Sequence, residues 1–180
     1  MKIKVDDTIS LEPIDDIHAE SIFNLVNTNR LQLREWLPWV DHMQSVDFIR
    51  NFIADSKKRS DNKSDFAFVV MKNDTVIGRI GVYKIDHQNK IGSIGYWLDA
   101  GFQGKGIMTN ACKEFVNYCF HSLNLNRIEI KCGTKNYTSQ AIPERLHFKK
   151  EGIVRQGELL YDEFIDLYSY SMVKSEWRDK

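Results

Sequence analysis

Proline is scarce in this chain of 180 residues, limited to Pro13, Pro38 and Pro143, and no Pro/Gly-rich linker divides it. Internal repeats and low-complexity tracts are missing as well, so one domain spanning 1–180 is expected, long enough to bury a real core. Neither charge is in excess: 25 Lys plus Arg stand against 25 Asp plus Glu. The basic surplus on which nonspecific nucleic-acid binding relies is therefore missing, and no direct nucleic-acid partner is expected. The opening residues Met1 to Asp7 contain no apolar leader segment, and no later run is long and uncharged enough to span a bilayer. A cytoplasmic protein without a membrane partner is the expectation. Cysteine is limited to Cys112, Cys119 and Cys132, an odd set without metal-ligand spacing, which reads as buried, reduced thiols. His18, His42, His87, His121 and His147 are scattered and form no HExxH pair, so no metal site is expected.

What is present is a clear alternation of periods. An extended segment or strand pair spans about Ile3 to Leu11, and Pro13 and Asp15 open a helix carrying Ile17, Ile22, Phe23, Leu25 and Val26. A tryptophan-rich piece, Leu31 to Val40, follows. Ser45 caps a second helix with Phe48, Ile49, Phe52 and Ile53 on one side, ending in the polar loop Lys57 to Ser64. From Asp65 the period shortens, and Phe66–Met71, Thr75–Asp86 and Ile91–Leu98 read as an antiparallel meander. A helix from Gly106 to His121, a strand from Arg127 to Cys132, a short helix from Ser139 to Leu146 and a closing hairpin (Phe148–Leu160, Phe164–Val173) complete an α+β pattern.

The most informative stretch joins the meander to the long helix. Gly101, Gly104 and Gly106 lie in a loop between an apolar strand and a helix, an arrangement that aims several backbone N–H groups and a helix dipole at one point, where an anion can sit. Taken alone, such a loop is equally well a plain structural turn. Ile107 and Met108 stand where a Walker A loop needs Lys and Ser/Thr, and the glycine order Gly101-x-x-Gly104-x-Gly106 reverses the dinucleotide fingerprint.

The segment Gln103-Gly104-Lys105-Gly106, after Tyr96-Trp97-Leu98 and before an amphipathic helix, resembles the acetyl-CoA signature Q/R-x-x-G-x-G/A of the GNAT acetyltransferases, with Met108 in place of the final small residue. LREWLPWV, Gly95-Tyr96-Trp97, GKGIMTNAC, LNLNRIEI, Asn136-x-x-Ser139 and IPERLHFKKEG, in that order over nearly the whole chain, resemble the RimJ/RimL-type branch, whose founding substrates are the N-termini of ribosomal proteins. The resemblance implies the GNAT fold: a central mixed, mostly antiparallel twisted sheet flanked by helices and splayed between strands 91–98 and 127–132. It implies acetyl-CoA held by Gln103, Gly104, Lys105, Gly106, Ile107, Met108 and Thr109, with a backbone N–H near Trp97 or Leu98 facing the thioester carbonyl and Asn136 and Ser139 reaching the pantetheine or sulfur. Helix capping is the competing role for both, suiting Asn136 as well as the functional one and Ser139 slightly less.

By the same resemblance, the tyrosine that protonates the leaving thiolate in many relatives falls at Pro143, and the glycine that closes their short helix falls at His147. Ser139 is then the implied acid and Glu158 the implied base. The magnitudes suit one carboxylate: deprotonating an α-amine at neutral pH costs roughly 1.4 kcal/mol, against roughly 4.6 kcal/mol for a lysine amine. A solvated edge-strand residue is the competing, somewhat weaker reading of Glu158. Trp36 and Trp39, with Tyr96, Glu158 and Tyr161, are the candidates for the acceptor side, although two tryptophans three apart also describe one buried face. The expectation is an acetyl-CoA-dependent N-acetyltransferase acting on an α-amine, a ribosomal-protein N-terminus of the Ser/Ala type. A small amine (a polyamine, an aminoglycoside or an amino-acid derivative) is the alternative acceptor. The departures at Met108 and Pro143 also fit a noncatalytic acyl-CoA-binding module. Oligomeric state is open, a homodimer included.

Overall fold

Eight extended segments of the chain join edge to edge into a single sheet. The structure, a computed structural model, describes residues 2–178; residue 1 and residues 179–180 of the expected domain lie outside the described residues. The strands are β1 (Ile3–Lys4), β2 (Ile9–Pro13), β3 (Phe66–Lys72), β4 (Thr75–Asp86), β5 (Ile91–Leu98), β6 (Arg127–Gly133), β7 (Lys149–Leu160) and β8 (Glu163–Val173), and their spatial order is β1-β2-β3-β4-β5-β6-β8-β7. All neighbours run antiparallel except β5 and β6, which the chain joins through the long helix α4 and which run parallel, as a crossover connection requires.

Before the meander come the helices α1 (Ala19–Thr28), α2 (Arg30–Arg34) and α3 (Val46–Asp61); α4 (Ile107–His121) and α5 (Tyr137–Arg145) follow it. α1 and α3 cover one face of the sheet, where Ile22, Val26, Ile49 and Ile53 meet Val69 and Met71. α4 covers the other, and its Phe115 ring meets Phe68 edge-on at 5.3 Å between centroids. Each of these fully buried rings contributes on the order of 1.5–3 kcal/mol.

Local chemistry moves several boundaries from where periodicity alone sets them. The helix expected to open at Pro13 and Asp15 starts instead as a 3-10 turn, Asp16–His18, in which Asp15 caps Asp16 and the ring of His18 accepts the Asp15 N–H. Ile17 therefore projects outward, 82% exposed, rather than joining the apolar face. α3 runs through the polar stretch expected as loop and ends at Asp61, with Lys58 and Arg59 in its last turn favourable to the helix dipole. α5 begins at Tyr137, two residues early, because the Asn136 side chain accepts the N–H of Ser139 and so caps the helix there.

The feature that places the site is the separation of β5 from β6. Their pairing covers Ile91–Ile94 against Arg127–Ile130 and then stops, although β5 continues to Leu98 and β6 to Gly133. The upper half of β5 is paired on its β4 side only.

Candidate active site

A cavity of about 860 Å³ fills this splay and extends from the glycine turn at one end to Glu158 at the other. At the turn, Gly104 and Gly106 have φ of +72° and +74°, a left-handed backbone that favours glycine, and a Cβ on either would meet open space. Gly106 is the N-cap of α4 and offers no side chain to cap it. The first-turn amides of Ile107, Met108 and Thr109 thus have no intrahelical acceptor, and all three residues line the cavity. Met108, the departure from the usual signature, buries its side chain in the core and leaves the turn unobstructed. Gln103 and Lys105 are spent on the loop itself. The Gln103 amide donates to the Leu98 carbonyl at 3.1 Å, and the Lys105 amine folds back onto the Gly101 carbonyl at 2.8 Å. Gln103 lines the cavity; Lys105 does not.

Along the splay, backbone direction follows from alternation. The Asp99 N–H bonds to Ile77 on the β4 side, so the peptide groups of Tyr96 and Leu98 point the other way, into the cleft. Of the two amides considered for the carbonyl oxygen, that of Leu98 has the right direction. The pattern of donors and acceptors that this edge presents is one that an extended chain with amides can pair with. A glycine cradle, open helix-terminal amides and an unpaired strand edge in one cavity fit the pyrophosphate and pantetheine of coenzyme A.

On the opposite wall, α5 is fixed by Gln140, whose buried amide donates to the Gly133 carbonyl at 2.8 Å, and by Glu144, which accepts from the Tyr170 hydroxyl at 2.9 Å. Ser139 is thereby held in the cleft. Its Oγ donates to Cys132 Sγ at 3.2 Å and lies 3.5 Å from Tyr96 Oη, which itself donates to the Ser139 carbonyl at 3.0 Å. Burial pushes the Tyr96 phenol well above its ordinary range and raises the Cys132 thiol, against which the hydrogen bond from Ser139 acts. Nothing in the spacing of Cys132 distinguishes it from the two thiols buried under α4; only its place at the mouth of the splay does.

Beyond the splay lies the other face of the sheet. The Trp36 indole lies over the end of β6, with Glu158 and Ile165 beside it, and Gln32 and Glu35 of the α2 segment also line this end. Glu158 has no hydrogen bond or ion pair among the described residues, and burial raises its carboxyl above the ordinary value, opposed by the charge of Lys84. Trp39 and Tyr161 do not line the cavity. Trp39 packs on Trp97 at 6.2 Å between ring centroids, inside the α1/α3 core. Tyr161, in the β7–β8 turn, donates to the Leu37 carbonyl at 3.0 Å and carries the Arg34 guanidinium 3.9 Å above its ring, so it fastens the hairpin to the α2 segment. The two ends of the site are also joined: the buried Asn29, between α1 and α2, accepts the Ala100 N–H of the glycine turn at 3.0 Å.

The acetyltransferase (GNAT) domain model matches residues 8–149. The chain belongs to the GNAT acetyltransferases. It is therefore an enzyme that draws its acetyl group from acetyl-CoA, and the sheet topology and splay above are those of the family. Among curated relatives, the putative ribosomal N-acetyltransferase YdaF of Bacillus subtilis (strain 168) is 32% identical over 97% of this chain and 96% of its own. The ribosomal-protein-serine acetyltransferase of Escherichia coli (strain K12) is 30% identical over 95% and 96%. Among solved structures, RimL, a ribosomal L7/L12 α-N-protein acetyltransferase in complex with coenzyme A, superposes with a TM-score of 0.93 at 27% identity, covering 96% of this chain and 98% of that one. This GNAT enzyme thus sits in the RimL-like branch. No helix among its described residues is long and apolar enough to cross a membrane, and no group of His, Cys, Asp and Glu among them is placed to hold a metal ion.

Proposed function

We propose that this enzyme acetylates the α-amine of a protein N-terminus, that of a ribosomal protein, in the cytoplasm. The observation that carries the reading is Glu158: a half-buried carboxylate without a partner, at the end of the cavity remote from the glycine turn. Burial raises its proton affinity toward the range where a base can take a proton at neutral pH, and an α-amine, with a pKa of about 8, asks little of it. Before that step the same carboxylate attracts the cationic form of the amine. Near full-length similarity, at 30–32% identity, to a putative ribosomal N-acetyltransferase and a ribosomal-protein-serine acetyltransferase supports a ribosomal-protein acceptor.

Bound in the splay, acetyl-CoA supplies an activated thioester carbonyl and a thiolate leaving group. The amides of Ile107, Met108 and Thr109 with the α4 dipole would hold the pyrophosphate, and the Leu98 N–H would be the donor for the carbonyl oxygen. Ser139 offers its hydroxyl to the sulfur. A hydroxyl of far higher pKa does not surrender its proton to a thiolate near 8.5, so Ser139 acts by hydrogen bonding and the proton is made up from solvent. Asn136 serves by capping α5 and so fixing Ser139. Trp36 walls the acceptor end, where aromatic surface suits the first side chain of a peptide.

The test is an acceptor panel read by thiol release and mass spectrometry. Acetylation of Ser- and Ala-starting peptides at the α-amine is expected; turnover of free polyamines or aminoglycosides with none on peptides overturns the proposal.

A further inference from the structure

We infer that Tyr96 is a positioning residue for the Ser139 hydroxyl, and that Pro143 is what lets it be one. In an α-helix the carbonyl of each residue receives the N–H of the fourth residue onward. For Ser139 that residue is Pro143, which has no N–H to give. The Ser139 carbonyl is thus left without its helical donor in the middle of α5. The phenol of Tyr96, reaching across from β5, donates to this carbonyl at 3.0 Å. A part-buried carbonyl without any donor is unfavourable, so the proline and the tyrosine belong together.

The consequence falls on the adjacent hydroxyl. With its own proton committed to the carbonyl, Tyr96 Oη presents only lone pairs to Ser139 Oγ, 3.5 Å away, while Cys132 Sγ lies 3.2 Å from the same oxygen. Ser139 Oγ therefore faces two acceptors that both line the cavity, and its hydrogen is held on the cavity side, where an entering sulfur can take it over from Cys132 Sγ. A sulfur atom brought there meets a hydroxyl already oriented. Burial keeps the Tyr96 phenol protonated, so the bond to the carbonyl persists through the neutral and mildly alkaline range.

This inference rests on the proposed role of Ser139 toward the sulfur, and its test uses no acceptor amine. The thiol pKa of enzyme-bound coenzyme A is read from ultraviolet thiolate absorbance, with the complex of desulfo-coenzyme A as the blank. A hydroxyl donating to the thiolate lowers that pKa, so Ser139→Ala is expected to raise it by about one unit, a tenfold loss of thiolate at fixed pH. Tyr96→Phe is expected to reproduce at least half of the shift, with coenzyme A affinity within about twofold of wild type. The double variant is expected to go no further than Ser139→Ala alone. Pro143→Ala restores a helical N–H to the Ser139 carbonyl, releases the phenol and is expected to give part of the Tyr96→Phe shift. It carries the test if Tyr96→Phe does not fold. A Tyr96→Phe complex with the wild-type thiol pKa, beside a shifted Ser139→Ala, overturns the positioning role alone. No shift in either overturns the role of Ser139 together with this inference. The peptide panel, read separately, decides the acceptor.

Discussion

The indole of Trp36 rests on the backbone of Gly133: a Cβ built there would stand 3.2 Å from the ring carbon Cζ3. Gly133 also supplies the carbonyl that anchors Gln140, so one residue at the end of β6 supports the acceptor wall on one side and the Ser139 helix on the other. Gly133→Ala is expected to displace the indole by a few tenths of an ångström, raising the acceptor KM several-fold. The acetyl-CoA KM, read in the same assay, is expected to stay within about twofold, because the phosphate end is untouched.

Glu158→Gln is expected to lower turnover at least tenfold with little change in acetyl-CoA affinity, the signature of a lost base. Unchanged turnover removes its assigned role.

The same substitution carries a stability prediction of the opposite sign. The folded chain raises the Glu158 carboxyl above its ordinary 4.5, so folding favours the protonated form. That contribution is fully present below pH 4.5 and is lost as pH rises through the folded value. At neutral pH the ionised carboxylate opposes folding, and Glu158→Gln should melt above wild type. Melting curves recorded from neutral pH down to about pH 4 should show the gap closing.

Gly106→Ala puts a side chain on a left-handed backbone at φ +74°. The strain is roughly 1–2 kcal/mol, and relief by turning the backbone would swing the first-turn amides of α4 out of line. Acetyl-CoA affinity, measured by calorimetry, is expected to fall at least fivefold, whereas Lys105→Ala, which removes an amine folded onto the Gly101 carbonyl, should cost less than twofold.

How much of this was legible beforehand depends on how local each signal was. The glycine turn, the meander and the amphipathic α4 are written in consecutive residues, and the structure has them within a residue or two of where the pattern puts them. The pair Trp36 and Trp39 shows where locality fails. Three apart, they suggest one face, but the helix ends at Arg34, and the irregular backbone through Pro38 sends Trp36 to the cavity and Trp39 to the core against Trp97. The cluster of Tyr96, Cys132 and Ser139 joins a strand, its parallel neighbour and a helix, and no spacing rule brings those three together. His147 lies between these cases. The resemblance sets a glycine there, and the structure gives the histidine the left-handed φ of +61° that a glycine would adopt without strain.

The unfinished edge of β5 also bears on when the protein is most robust. The backbone groups of Tyr96 and the N–H of Leu98, which a neighbouring strand would otherwise occupy, are left to the solvent until an amide-bearing cosubstrate enters. A ligand that completes a sheet is in part a structural element, and at a concentration a hundredfold above its Kd it adds about 2.7 kcal/mol to the stability of the folded state. The melting temperature should therefore climb with added coenzyme A, and the fold should hold its smallest margin against unfolding when the cosubstrate is scarce.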